Sequence, residues 1–204
     1  MEKDFYNIDQ RWLASYFEKE WFDHVITQKG DQSFATQFPK FPSHHLYCEY
    51  HEEFVSFIAQ TLNASELKPS DLLEIGTSLG RTFYEVCKKI KSVKSAILIE
   101  PSQNFYQSFE KIISGNGSVK FPILYGYKGE EEVEFDPSMI RKVCARVEVT
   151  KLNKPYEDLK QLPMSDLVIC SHVIDQCNNP KGLVEFLKAQ TAYNGVLALS
   201  CSYR

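Results

Sequence analysis

The segment Asp71-Leu72-Leu73-Glu74-Ile75-Gly76-Thr77-Ser78-Leu79-Gly80-Arg81 constrains the fold more than any other part of the chain. The apolar run from Leu72 to Ile75 is too short for a helix and meets a glycine at once, so it reads as a buried strand entering a tight turn. Gly76 lets the backbone bend sharply and lie close to a ligand. Gly80 opens a helix whose Phe83, Val86, Cys87 and Ile90 form one stripe. The N–H groups at a helix start are free to meet a ligand's negative end. Twenty residues after Gly80, a second apolar run, Ala96 to Ile99, closes on Glu100. An acid at the tip of the second strand is placed to hydrogen-bond a ribose. The combination predicts a cradle for a nucleoside cofactor.

The chain downstream repeats the alternation. Phe105, Phe109, Ile112 and Ile113 mark a helix that Gly115-Asn116-Gly117 ends, and Val119 to Tyr125 reads as the third strand. Glu131–Phe135 and Val143–Val149 alternate apolar and polar residues, which predicts an added antiparallel pair with one wet face. A short helix near 155–161, a fourth strand from Asp166, a helix over 180–190 and a fifth strand to Ser200 follow. Strands alternating with helices of this length imply right-handed crossovers and a mainly parallel sheet with helices on both faces. The N-terminal part differs. Trp12, Leu13, Tyr16, Phe17, Trp21 and Val25 recur at helical spacing over 9–26, where Asp9 can cap. Pro39 and Pro42 bound a loop, and a second helix over 44–62 carries Tyr47, Tyr50, Phe54, Phe57 and Ile58. The expected organisation is therefore a helical cap, 1–68, on an α/β unit, 69–204.

A dinucleotide site wants Gly-x-Gly-x-x-Gly, because a pyrophosphate rests on the turn. Position 78 is serine, so the second glycine is missing. The remaining Glu-x-Gly-x-x-x-Gly resembles motif I of the class I S-adenosylmethionine-dependent methyltransferases, whose ligand carries no phosphate. Ala96-Ile97-Leu98-Ile99-Glu100-Pro101-Ser102 resembles that family's second strand with its ribose-binding acid. Asp166-Leu167-Val168-Ile169-Cys170-Ser171-His172-Val173-Ile174-Asp175-Gln176 resembles the fourth strand and its loop. Residues 179–200 resemble the next helix and fifth strand. The resemblance covers roughly residues 70–200 in the family's order and spacing. The segment ending in Val147–Leu152 is similar to an insertion of the FkbM-type O-methyltransferases, although that group's Asp-x-Glu-Gly after strand four is absent. The family usually adds two more strands. On that pattern the sheet is truncated after strand five, and its edge would be covered by the N-terminal region, a second copy or a partner.

The resemblance implies S-adenosylmethionine as cofactor and Glu74, Gly76, Thr77, Ser78, Gly80, Glu100, Pro101, Tyr125, Gly126, Ser171 and His172 as its contacts, with Tyr125, Gly126 or Tyr127 near the adenine. Each position also has a plainer reading: a turn for the glycines, a strand-end acid for Glu74, a helix-start acid for Glu100, core packing for the tyrosines. Arg81 reads as a helix-surface charge or as a ligand contact. His172 stands where a base or substrate-orienting group would act. Asp175-Gln176 replaces a frequent Glu-His pair of relatives. Methyl transfer chiefly requires alignment and exclusion of water, so no catalytic triad is needed. His44, Cys48 and His51 fall on one helix side, with His45 and Glu52 nearby, but three ligands on one helix without a second group make a poor zinc set, so no metal is expected. Tyr47, Tyr50 and His51 read better as part of a cap over the cofactor cleft.

Net charge of −4 and the lack of a basic cluster argue against nucleic acid. No apolar run spans a membrane, the charged start Met1-Glu2-Lys3-Asp4 is no secretory leader, and six scattered cysteines suit a reduced, cytoplasmic protein. The expected activity is methyl transfer to oxygen or nitrogen of a small molecule or saccharide. The alternative is a non-catalytic relative of that fold, acting as a nucleoside sensor or interaction scaffold.

Overall fold

The computed structural model describes residues 13–17, 19–21, 24, 42–122, 132–174 and 176–201. Residues 13–17, 19–21 and 24 are helical. Helix α1 (Pro42–Ala64) follows, then β1 (Asp71–Ile75), α2 (Arg81–Lys89), β2 (Ser95–Ile99), α3 (Gln103–Ile113), β3 (Val119–Pro122) and β4 (Glu132–Phe135). The remainder comprises α4 (Ser138–Cys144), β5 (Glu148–Leu152), a 3-10 turn at Tyr156–Asp158, β6 (Ser165–Ser171), α5 (Pro180–Gln190) and β7 (Thr191–Ser200). Among these, no helix is long and apolar enough to cross a membrane.

Five strands form one parallel sheet in the order β5-β2-β1-β6-β7. Apolar β1 lies at its centre because both of its faces are covered. Leu72 packs with Leu98 and Ile169 against α2, α3 and the N-terminal helical residues. Leu73 and Ile75 face the other way with Val168 and Cys170, against Leu183 and Leu187 of α5. From β1 the chain builds outward to β2 and β5, then returns to build β6 and β7 on the opposite side. The topological switch, where a crevice opens beyond the carboxyl ends of the strands, is thus between β1 and β6.

The third strand of this sheet is not the one the sequence suggests. Val119–Pro122 pairs antiparallel with Glu132–Phe135 in a separate two-stranded sheet. Its Phe121 stacks on Phe17 at a centroid distance of 3.9 Å. The third parallel strand is Glu148–Leu152, in register with Ser95–Ile99. The period-two segment read in the sequence, Val143–Val149, overlaps it only at Glu148 and Val149, and the strand is an edge strand of the parallel sheet with Glu148 and Thr150 exposed, not half of an antiparallel pair. The segment 138–144, expected to be partly strand, is a two-turn helix that buries Ile140 and Cys144 four residues apart. Asp136 starts it, its carboxylate accepting the Ser138 N–H at 2.9 Å. The small antiparallel sheet therefore exists, but is made of β3 and β4. At the other edge, β7 slips against β6. Between paired positions β6 advances from Ser165 to Leu167, while β7 advances from Thr191 to Val196. The extra residues bulge outward, leaving Tyr193 99% exposed.

Two arginines around α4 tie off neighbouring helices. Arg141 donates to the carbonyls of Lys111, Ile112 and Gly117 at the end of α3. Arg146 donates to those of Cys87, Ile90, Lys91 and Val93 at the end of α2, over 2.6–3.2 Å. These carbonyls have no helical partner, and a cation is favoured at a helix C-terminus. Arg146→Ala should lower unfolding free energy by about 2–3 kcal/mol, and Arg146→Lys, lacking the planar fork, should recover less than half of it. Urea denaturation followed by circular dichroism checks this, and an unchanged midpoint in Arg146→Ala would refute it.

Candidate active site at the carboxyl edge of the sheet

The turn after β1 is fixed by hydrogen bonds to β2 and by three residues with positive φ. Gly76 N–H donates to Ile99 C=O at 2.8 Å, and Thr77 N–H to the same oxygen at 3.3 Å. Gly76 (φ 75°), Ser78 (φ 51°) and Gly80 (φ 91°) all occupy the left-handed region, which is strained for the serine. A Cβ at Gly76 would collide with Val173, and one at Gly80 would lie 2.6 Å from the Phe109 ring. Both glycines are therefore required by close approach as well as by φ. The loops after β1 and β6 touch across the switch point.

Three buried carboxylates surround this turn. Glu100, at the tip of β2, accepts the N–H groups of Ser78 (2.8 Å) and Ser102 (2.9 Å). Asn153 fixes its backbone by donating to the carbonyls of Glu100 and Pro101. Glu20, from the N-terminal helical residues, accepts from Leu79 N–H and Arg81 N–H at 3.5 and 3.3 Å. Helix α2 has Gly80 as its N-cap and no capping side chain of its own, so Glu20 caps it from a distant part of the chain. Glu74 lies two residues after Leu72 along β1 and so shares its face, toward α2. Its residue is 2% exposed, and its Oε2 has no hydrogen-bond partner.

Burial sets the protonation of all three. Desolvation raises Glu20 from 4.5 to about 7, although hydrogen bonds from Ser78, Arg81 and Leu79 and the Arg81 charge oppose it. Desolvation likewise raises Glu100 to about 7, against the hydrogen bonds from Ser102 and Ser78. Glu74 is raised well above 4.5 by burial first, then by the charges of Glu20, Cys87 and Glu100. Burial thus disfavours its ionised form, and a cation placed beside it would favour that form.

Arg81 is no surface charge. It is 2% exposed and forms an ion pair at 3.2 Å with Glu85, which is fully buried. It also donates to the Glu20 backbone carbonyl at 2.8 Å and lies over the Trp21 ring. Trp21 Nε1 donates to Leu79 C=O at 3.2 Å. These contacts clamp the N-terminal helical residues onto the glycine turn.

Across the switch point, His172 follows β6 with φ 56°, and its N–H donates to Ser200 C=O at 3.0 Å. Ser171 Oγ and Ser200 Oγ are 3.0 Å apart. The Tyr50 ring of α1 packs 4.6 Å from the His172 imidazole, and His51 Nδ1 meets Thr82 Oγ1 at 2.9 Å. The structure thus gathers Glu74, Gly76, Thr77, Ser78, Gly80, Glu100 and Pro101 around the turn, and places Ser171 and His172 just before Val173, which meets Gly76. Tyr125, Gly126, Tyr127 and Asp175 lie outside the described residues, as do the side chains of His44, His45, Tyr47 and Cys48. Among the described residues, no cluster of His, Cys, Asp and Glu could hold a metal.

Two positioning residues went unread in the sequence. Glu20 carried a signal: it falls four residues after Tyr16 and three after Phe17, an acid set inside an apolar stripe. Asn153 carried none, because a polar residue after a strand is ordinary loop composition.

The raised carboxylates fix the sign of the pH dependence. Between about pH 4.5 and 7 the folded chain binds more protons at Glu20 and Glu100 than the unfolded chain. Their stabilising share is complete below the unfolded value and is lost as pH rises through 7. From pH 5.5 to 8 the unfolding free energy should fall, and the urea midpoint with it, by about 2 kcal/mol per carboxylate at most. Glu20→Gln should flatten that slope, and a stability that rises with pH over this range would contradict it.

No protein-family model matches the chain, and no curated protein matches it in sequence. Solved structures do match. The plantazolicin methyltransferase BpumL, in complex with a monoazolic desmethylPZN analogue and SAH, superposes with a TM-score of 0.50 at 11% identity, over 91% of this chain and 56% of that one. Its complex with a triazolic analogue and SAH gives a TM-score of 0.51 at 9% identity, over 93% and 60%. The chain therefore spans less than two thirds of the length of these structures. With its strand order and glycine turn, it has the Rossmann-like fold of the class I S-adenosylmethionine-dependent methyltransferases.

Proposed function

We propose that the chain is an S-adenosylmethionine-dependent methyltransferase acting on an oxygen or nitrogen of a small molecule or saccharide. The observation that carries this reading is the pairing, at one switch point, of a carboxylate braced on the glycine turn with a buried carboxyl oxygen that lacks a partner. Glu100 accepts one N–H at each oxygen and keeps lone pairs for ribose hydroxyls. Glu74, orphaned beneath the turn, suits an ammonium group. Bound there, S-adenosylmethionine would supply an electrophilic methyl group on a sulfonium.

The chain's own part is to align an acceptor and keep water out. Ser171 and His172, at the end of β6, face the turn across the crevice, and His172 would orient the acceptor or take its proton. Tyr50 and His51 of α1 would cover it. The small-molecule preference is supported by the lack of a basic cluster, and by the azole-bearing compound seen with the plantazolicin methyltransferase.

Calorimetric titration with S-adenosylhomocysteine should give micromolar binding in the intact chain, weakened at least tenfold in Glu100→Ala, with none for NAD. Binding of NAD with equal affinity, or binding indifferent to Glu100, would overturn the reading. In an extract containing an acceptor, His172→Gln should lower turnover roughly 100-fold while leaving donor affinity within twofold. Donor binding without turnover in any extract would argue for a sensor instead.

A further inference from the structure

The two acids of the cofactor site have a third beside them that the site's usual logic does not require. Glu20 reaches the glycine turn from the N-terminal helical residues and holds the N–H groups of Leu79 and Arg81, next to the Ser78 N–H held by Glu100. Glu74 lies on the same face, is 2% exposed, and its Oε2 is unpartnered. The nearest cation, Arg81, favours the charged form of Glu20 but is shared. Arg81 is engaged by Glu85, which also has Lys88 at 3.6 Å. A helix N-terminus ordinarily attracts an anion, and here the Glu20 carboxylate already occupies it.

We infer that Glu20 completes, with Glu74 and Glu100, an anionic wall that makes the cleft select the cationic methyl donor over its uncharged spent form. This rests on the cofactor reading above. S-adenosylmethionine carries a sulfonium in addition to its ammonium and carboxylate, so its net charge is +1, whereas S-adenosylhomocysteine is a neutral zwitterion. The Glu20 and Glu100 carboxylates, crowded in a desolvated site beside the Glu74 carboxyl, disfavour one another's charge, and an entering cation relieves that repulsion. A neutral ligand of nearly the same shape gains none of this. The selection therefore favours release of the product after each transfer.

Among the described residues, the charged and titratable groups around Glu20 are few. Arg81 and Glu85 face it from α2, Glu74 from β1, Glu100 from the end of β2, and His24 lies one turn on along its own helix, with Nδ1 3.3 Å from the Arg81 guanidinium. Since Glu20 and Glu100 are both raised to about 7, the wall is anionic at pH 8 and largely neutralised at pH 6.

The test is calorimetric titration of the intact chain with S-adenosylmethionine and separately with S-adenosylhomocysteine, at pH 8 and pH 6. At pH 8 the donor should bind at least tenfold tighter. At pH 6 the ratio should fall below threefold, a change that the extra methyl group cannot cause by its size. Glu20→Gln, with its fold checked by circular dichroism, should bring the pH 8 ratio below threefold, mainly by weakening the donor. Should that variant not fold, the wild-type ratio at the two pH values decides. Equal binding of both ligands at pH 8, or a ratio that neither pH nor Glu20→Gln changes, would overturn the inference while leaving the cofactor reading intact. Tighter binding of both ligands by Glu20→Gln would make Glu20 a plug and also overturn it. Failure of both ligands to bind would instead bring down the cofactor reading itself.

Discussion

The N–H groups of Ser78, Leu79 and Arg81 emerge together where the turn after β1 becomes α2, the first half-buried and the other two buried. They need acceptors, and the neighbouring backbone offers none. The chain supplies two carboxylates from remote parts of the sequence, Glu100 at the tip of β2 and Glu20 near the N-terminus. Much of the architecture at this edge follows from that demand. Glu20 can reach only if its helix lies across the turn, which places Trp21 on Leu79 and buries Arg81 against Trp21, Tyr84 and Glu85. The acids brought in to satisfy the backbone then destabilise one another. A site that solves one local problem by burial acquires an electrostatic tension that a bound cation relieves.

The helix at the centre of this arrangement is held at both ends by residues outside it. Glu20 caps its start and Arg146 its finish. Such capping in trans converts the stability of a nine-residue helix, marginal alone, into a property of tertiary packing. It also explains why residues 81–87 are all buried, polar ones included: the N-terminal helical residues and α1 cover the side that an amphipathic helix would show to solvent.

The sequence made the parallel sheet legible where apolar runs met glycines. Leu72–Ile75 and Ala96–Ile99 were each bounded by turn residues and could be little else. The third strand was not legible, because the period-two alternation read over 143–149 is the same signal for an antiparallel hairpin and for the edge of a parallel sheet, and it straddled a helix end and the start of the strand. The two-turn helix at 138–144 was too short to show a stripe. At the site, the glycines and Glu100 announced themselves by spacing. The burial of Arg81, which looked equally like a surface charge, depended on a partner helix some sixty residues away, and such contacts leave no local trace. Glu20 was detectable only as an acid out of place among aromatics.

The slip in β7 has a consequence for the opposite side of the sheet. Residues 192–195 swing out of the ladder, and pairing resumes with Val196 opposite Leu167, so that Ser200 arrives beside Ser171 and receives the His172 N–H. The loop carrying His172 is thus clocked by an outer strand. Length changes within the bulge can be absorbed there without disturbing the count. A single residue gained or lost between 196 and 200 cannot be absorbed, and would offer His172 a different carbonyl on a strand whose faces have exchanged. The edge of the sheet behaves as a vernier, with a coarse part free to drift and a fine part that sets the position of one imidazole.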